Sequence, residues 1–209
     1  MTIITIRWRT VHKIWRELAG KKPSAQARHI SINGHDVVEV TFTQEQAKLV
    51  IEKAELAAKT ELGLINRLNG PLNRWKLGFL GQVAFLIYAE DDFPKALKSL
   101  SIGKRDKFDC MLKGYNIDIK TRAATRDLLM VPEYQFPIQY HDFYVAERLQ
   151  SETPYIVQMW GYATRKELEN VTPSNEWEHG LTRAIRFESL HLMIELRDLL
   201  TKKTLQSFF

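Results

Sequence analysis

Cysteine is nearly absent: Cys110 stands alone in 209 residues. An internal disulfide is therefore excluded, and the composition fits a reducing compartment, so a cytoplasmic location is expected. No apolar run approaches the roughly 20 residues that a membrane-spanning helix needs, and no membrane partner is expected. The first residues, Met1 to Arg16, interleave basic and apolar side chains and show no signal-peptide core. The histidines (His12, His29, His35, His141, His179 and His191) form neither HxH nor HExxH, which argues against zinc. The loops GxxxxGK[ST] and GxGxxG are missing as well, so nothing indicates nucleotide binding. Internal repeats and low-complexity stretches are also lacking.

Acidic residues are scarce in one region. Before Asp36 the chain carries Arg7, Arg9, Lys13, Arg16, Lys21, Lys22 and Arg28 against the single acid Glu17, in a chain of net charge +5. A basic end on a near-neutral body suits a polyanionic partner, nucleic acid first; it equally suits a solvated charge run. With 44% hydrophobic residues the chain can bury one substantial core and carry at most a small appendage.

Trp8, Val11, Ile14, Trp15 and Leu18 recur at helical spacing with Arg9, His12, Lys13 and Arg16 between them. This predicts a basic amphipathic helix ending near Gly20, which either lies on DNA or docks its tryptophans on the core. Val37 to Phe42 predicts a strand. Thr43 then caps a helix to about Leu62, with Gln46 as its capping-box partner. Asn69-Gly70-Pro71 is read as a break, followed by a helix from about Arg74 to Asp91. Lys107 to Leu112 and Tyr115 to Thr121 read as strands joined by a Lys113-Gly114 turn. Gln139 to Arg148 and Tyr155 to Tyr162 are two more strands, the second apolar nearly throughout, as in a sheet centre. Thr164 with Glu167 opens a short helix, and Ser189 to Leu200 closes the chain as an amphipathic one. The class is α/β (α+β), a central mixed β-sheet flanked by helices. Residues 1–73 are assigned to a basic N-terminal extension packed on the core, and 74–209 to the core with its closing helix.

The hairpin carries the chemistry. With a two-residue loop at Lys113-Gly114, Leu112 pairs with Tyr115, Met111 with Asn116 and Cys110 with Ile117, so Asp109 falls opposite Asp118. Such neighbours have Cβ atoms about 4.5–5.5 Å apart, and two carboxylates at that distance repel unless a cation lies between them. Oxygen ligands suit Mg²⁺ or Mn²⁺. Lys120, two residues beyond Asp118, shares its strand face, while Ile117 and Ile119 turn to the core. An ammonium beside a metal-bound water positions that nucleophile and offsets developing phosphate charge, which suits phosphodiester hydrolysis.

Phe108-Asp109, a short gap and then Asp118-Ile119-Lys120 resemble the PD-(D/E)xK nuclease superfamily, also called restriction-endonuclease-like. The likeness spans about Arg74 to Tyr162, where a helix precedes a strand meander as in that family. It implies a restriction-endonuclease-like core with Asp109 and Asp118 as metal ligands for Mg²⁺, or Mn²⁺, and Lys120 acting on the attacking water. It also places Thr121, Arg122 and Arg126 near phosphates. The family often has a glutamate on the preceding helix; here Gln82 stands in the matching stretch. That glutamine either lends a carbonyl oxygen to the site, as a catalytic residue without charge, or is an ordinary polar residue of the helix.

The resemblance implies a Mg²⁺-dependent endodeoxyribonuclease acting on duplex DNA, of restriction type and homodimeric. The alternatives are a junction-resolving or repair nuclease with the same site, or a nuclease-fold DNA-binding protein that is weak or inactive because of Gln82.

Overall fold

Two-residue turns set the frame. In the computed structural model, which describes residues 26–62, 69–90, 92–100, 110–123, 127–176 and 180–206, strands β1 (Gln26–Ile32) and β2 (His35–Thr41) form a hairpin. Its loop is Asn33-Gly34, with φ of 52° and 81°, the left-handed pair that matches the strand twist. The predicted basic helix before Gly20 lies outside the described residues.

Helix α1 (Gln44–Leu62) starts where Thr43 and Gln46 exchange the expected capping-box bonds: Gln46 N donates to Thr43 Oγ1 at 3.2 Å, and Thr43 N donates to Gln46 Oε1 at 2.9 Å. Gln46 is fully buried, so the box is shielded from water. Thr43→Ala is expected to cost about 1 kcal/mol, read as a lowered thermal midpoint. Helix α2 (Asn69–Glu90) includes the tripeptide expected to break the chain. Pro71 sits in its first turn, where a missing N–H costs nothing, so Asn69-Gly70-Pro71 is a start signal instead. From Phe79 to Tyr88 this helix is buried almost all round, because it lies between α1 and the sheet. Helix α3 (Phe93–Ser99) is capped by Asp92, which accepts from Lys95 N at 2.9 Å.

Next come β3 (Cys110–Leu112), β4 (Tyr115–Ala123), β5 (Leu128–Pro132), β6 (Phe143–Glu152) and β7 (Tyr155–Thr164). Helix α4 (Arg165–Glu169) opens on the expected Thr164–Glu167 capping box, and β8 (Thr182–Arg186) and α5 (Met193–Gln206) follow. The main sheet is six-stranded in the order β1-β2-β7-β6-β4-β3, while β5 and β8 form a separate antiparallel ribbon. β4 and β6 are parallel and the other described neighbours antiparallel, so the sheet is mixed and the class α+β.

One face of the sheet (Val38, Val40, Ile117, Ile119, Val145, Met159) packs on α1, α2, α3 and α5. The other (Val37, Tyr144, Ala146, Trp160, Ala163) is covered by the β5–β8 ribbon, by Phe136 and Phe187, and by Leu168 of α4. Because β2 pairs with β7 and α1 shares the helix-side core, residues 26–62 belong to the same sheet and core as the rest, and position 73 falls inside α2. No described helix is long and apolar enough to cross a membrane.

Two boundaries differ from expectation for identifiable reasons. β6 starts at Phe143 rather than Gln139, because Ile138 and Gln139 both turn back onto Gln135 O. The last helix starts at Met193 rather than Ser189, because His191 is still bridged to the Tyr162 backbone by bonds of 3.0 and 2.9 Å. That bridge needs Gly161, where a Cβ would lie 2.5 Å from His191 O.

Candidate active site

Lys113 and Gly114 adopt φ of 54° and 78°, and the β3–β4 loop has the two residues expected of it. The register is Leu112↔Tyr115, Met111↔Asn116 and Cys110↔Ile117, as the sequence predicts. Asp109 lies outside the described residues, and so does its predicted pairing with Asp118; Arg126 lies outside them too.

Along β4, Ile117 and Ile119 enter the helix-side core, which turns Asp118, Lys120 and Arg122 to the opposite face. The parallel register sets Asp118 beside Tyr144 and Lys120 beside Ala146, both members of the second core. Asp118 is only 5% exposed, with Tyr144 as its neighbour across the parallel register. Lys120 Nζ lies 2.8 Å from Asp118 Oδ2 and donates to Gln135 Oε1 at 3.1 Å, so the ammonium is held between a carboxylate and an amide. Its side chain keeps 21% of its surface in contact with solvent.

Gln135 and His141 were invisible to spacing arguments, since they reach β4 only through the turn that precedes β6. Arg165 fastens this turn by donating to Gln139 O at 3.1 Å and Phe136 O at 3.0 Å. Asp142 fastens its far end: Asn116 N donates to Asp142 Oδ2 and Asp142 N to Asn116 O, each at 2.8 Å. His141 is 2% exposed and edges onto the Tyr144 ring at 5.4 Å. Burial pushes its pKa down, the Asp118 carboxylate pulls it back up, and Lys120 and Arg165 push it down again. The imidazole is therefore neutral at pH 7. Burial also pushes the Tyr144 phenol up to about 12, with Asp118 adding to the effect.

Thr121 and Gln82 sit elsewhere. Thr121 turns to the helix side, where its Oγ1 donates to Glu147 Oε2 at 2.9 Å and both lie under Gly81 of α2. Gln82 follows Gly81 on that helix, which covers the face opposite Asp118 and Lys120. The structure thus brings together Asp118 and Lys120, adds Gln135 and His141, and leaves Arg122 two residues further along the same face.

Among the described residues no group of three or more His, Cys, Asp or Glu is placed to hold a metal ion. Asp118 contributes one carboxylate, and a cation site there needs a second. The chain matches no family model, no curated protein and no solved structure.

Proposed function

We propose that this chain is a divalent-metal-dependent DNA endonuclease of the PD-(D/E)xK type, with a restriction-endonuclease-like core. The observation that carries the reading is the ion pair of Lys120 with buried Asp118, on a strand that follows the two-residue hairpin loop expected from the sequence. A lysine fixed beside a buried carboxylate can orient a water and offset charge that develops on a phosphate.

Asp118 would hold the ion together with Asp109, the second carboxylate of the sequence motif. An all-oxygen donor set fits Mg²⁺ or Mn²⁺. When bound, such an ion supplies Lewis-acid polarisation of the phosphate and lowers the pKa of a coordinated water. Lys120, anchored by Gln135, orients the attacking water and offsets charge on the phosphate oxygens. Arg122 engages a neighbouring phosphate, with Arg126 as its proposed companion. Duplex DNA, a homodimer and a cytoplasmic setting belong to the same proposal.

A second reading, a nuclease-fold protein that binds DNA without cutting it, is favoured by Gln82 in place of an acid and by the side of the sheet its helix occupies.

Cleavage of supercoiled plasmid and mixed-sequence duplex separates the two. Metal-dependent cutting that disappears in EDTA and in Lys120→Ala is the expected result; binding without cutting in Mg²⁺ or Mn²⁺ selects the second reading. Metal alone is also expected to stabilise the chain. At about ten times its Kd a single ion contributes about 1.4 kcal/mol, which raises the melting point by roughly 3–6 °C for a chain of this size. An unmoved melting curve at millimolar Mn²⁺ would count against the site.

A further inference from the structure

β4 and β6 run parallel and in register, which makes Arg122 and Arg148 direct neighbours about 4.8 Å apart at strand spacing. Both share the face of Asp118 and Lys120. Like charges at paired positions on one sheet face are mutually unfavourable, and an anion within reach of both offsets that. Across the sheet the same row continues with Gln158 on β7 and Glu39 on β2, but Glu39 is committed elsewhere: Arg28 donates to it at 2.5 and 3.0 Å, and Gln158 Nε2 at 3.1 Å. Glu39 is thus bonded to Arg28 and Gln158, while Arg148 is ion-paired with Asp127.

Arg148 is also held in place. Its guanidinium lies 4.8 Å from the Trp160 ring centroid and 5.6 Å from that of Phe187. Stacking of this kind fixes the planar fork before any ligand arrives. One nitrogen is ion-paired with Asp127, whose side chain is 59% exposed, while the buried Nε donor has no acceptor among the described residues. A buried donor without an acceptor is costly, and on a preset guanidinium an anion's oxygen offsets that cost.

We propose that Arg148 and Arg122 together form a phosphate seat beside the scissile position, with Asp127 as the counter-charge that the phosphate displaces. This rests on the nuclease reading, and it adds Arg148 to the substrate contacts. Lys120 and Arg122 are one two-residue strand step apart, about 6.5 Å, comparable with one nucleotide of backbone. The seat therefore takes the phosphodiester adjacent to the one that Asp118 and Lys120 address, and does so without reading sequence.

The test is fluorescence anisotropy of a labelled mixed-sequence duplex against KCl, in EDTA so that binding is read apart from cleavage. Arg148→Gln is expected to bind about ten-fold more weakly and to lower the salt slope by about one. Asp127→Asn, an exposed change with little to disturb, is expected to bind several-fold more tightly. Lys113→Gln, on the distant β3–β4 turn, is expected to leave both quantities unchanged. If Arg148→Gln and Asp127→Asn bind as the unaltered chain does, the seat is disproved while the nuclease reading keeps its own cleavage test. A loss in Lys113→Gln equal to that in Arg148→Gln would reduce the effect to bulk charge and also overturn the seat. No salt-dependent binding by the unaltered chain would overturn the seat and the DNA reading together.

Discussion

Asp118→Asn is expected to lower metal-dependent cleavage by about 10³-fold or more while the chain melts within a few degrees of its normal temperature. The two halves of that expectation have separate causes. Asparagine has nearly the shape of aspartate, and its carbonyl oxygen can still face the Lys120 ammonium, which keeps its bond to Gln135. The ammonium is one-fifth exposed, so losing its charged partner removes only part of the attraction. What the amide cannot replace is the charge that a divalent cation needs in a site almost closed to water. Asp118→Ala differs: it removes the carboxylate beside Lys120 and opens space beside Tyr144, so it should be inactive and also less stable, by about 1–3 kcal/mol. Full activity in Asp118→Asn would reduce the Asp118–Lys120 pair to a structural contact and remove the nuclease reading. Inactivity with an unchanged melting curve would separate chemistry from folding in a way that the alanine variant cannot.

What the sequence made legible is mostly local. The Lys113-Gly114 loop and its register follow from two adjacent residues that accept positive φ between alternating strands. The capping boxes at Thr43–Gln46 and Thr164–Glu167 are three-residue patterns, and both form as read. Asp118 and Lys120 could be placed on one face because a strand has a period of two. Strand β1 escaped detection although Asn33-Gly34 is a strong hairpin signal, because Gln26 to Ile32 lies at the sheet edge and carries little apolar alternation. The β5–β8 ribbon joins segments about fifty residues apart, and no short pattern encodes such a pairing. The parallel register of β4 with β6 is equally non-local. It is what sets Arg148 beside Arg122 and carries Gln135 and His141 towards Lys120. Thr121 shows the same limit from the other side. Its neighbour Lys120 made it look like a phosphate contact, yet period-two geometry sends it to Glu147 and the helix above.

That helix contact supplies the largest expected loss of stability. Gly81→Ala should destabilise the chain by about 3 kcal/mol, a fall in melting point of roughly 6–12 °C. By helix propensity the change should instead help, since alanine is favoured over glycine by about 1 kcal/mol in a helix interior. Packing decides the sign. A Cβ at position 81 would overlap Thr121 Oγ1 and Glu147 Oε2 and stand 2.9 Å from Thr121 Cβ. Neither neighbour retreats cheaply, because Glu147 is wholly buried and Thr121 is bonded to it. Either α2 lifts from β4 and β6, or a buried carboxylate loses the hydroxyl that solvates it. Gly78, three residues earlier on the same helix, has nothing within 4 Å of an added Cβ, so Gly78→Ala is the internal control and should stabilise. Thr121→Ala removes the nearest clashing atom but keeps the Cβ, so in the Gly81→Ala background it should restore part of the loss. A double-mutant cycle on the melting free energies would show this as coupling between the two sites. Strictly additive losses would mean that α2 does not seat on Thr121. Because Thr121 follows Lys120 on β4, a shift at Gly81 should also reach the Asp118–Lys120 pair. Gly81→Ala is therefore expected to lose cleavage at temperatures where it is still folded, whereas Gly78→Ala keeps it.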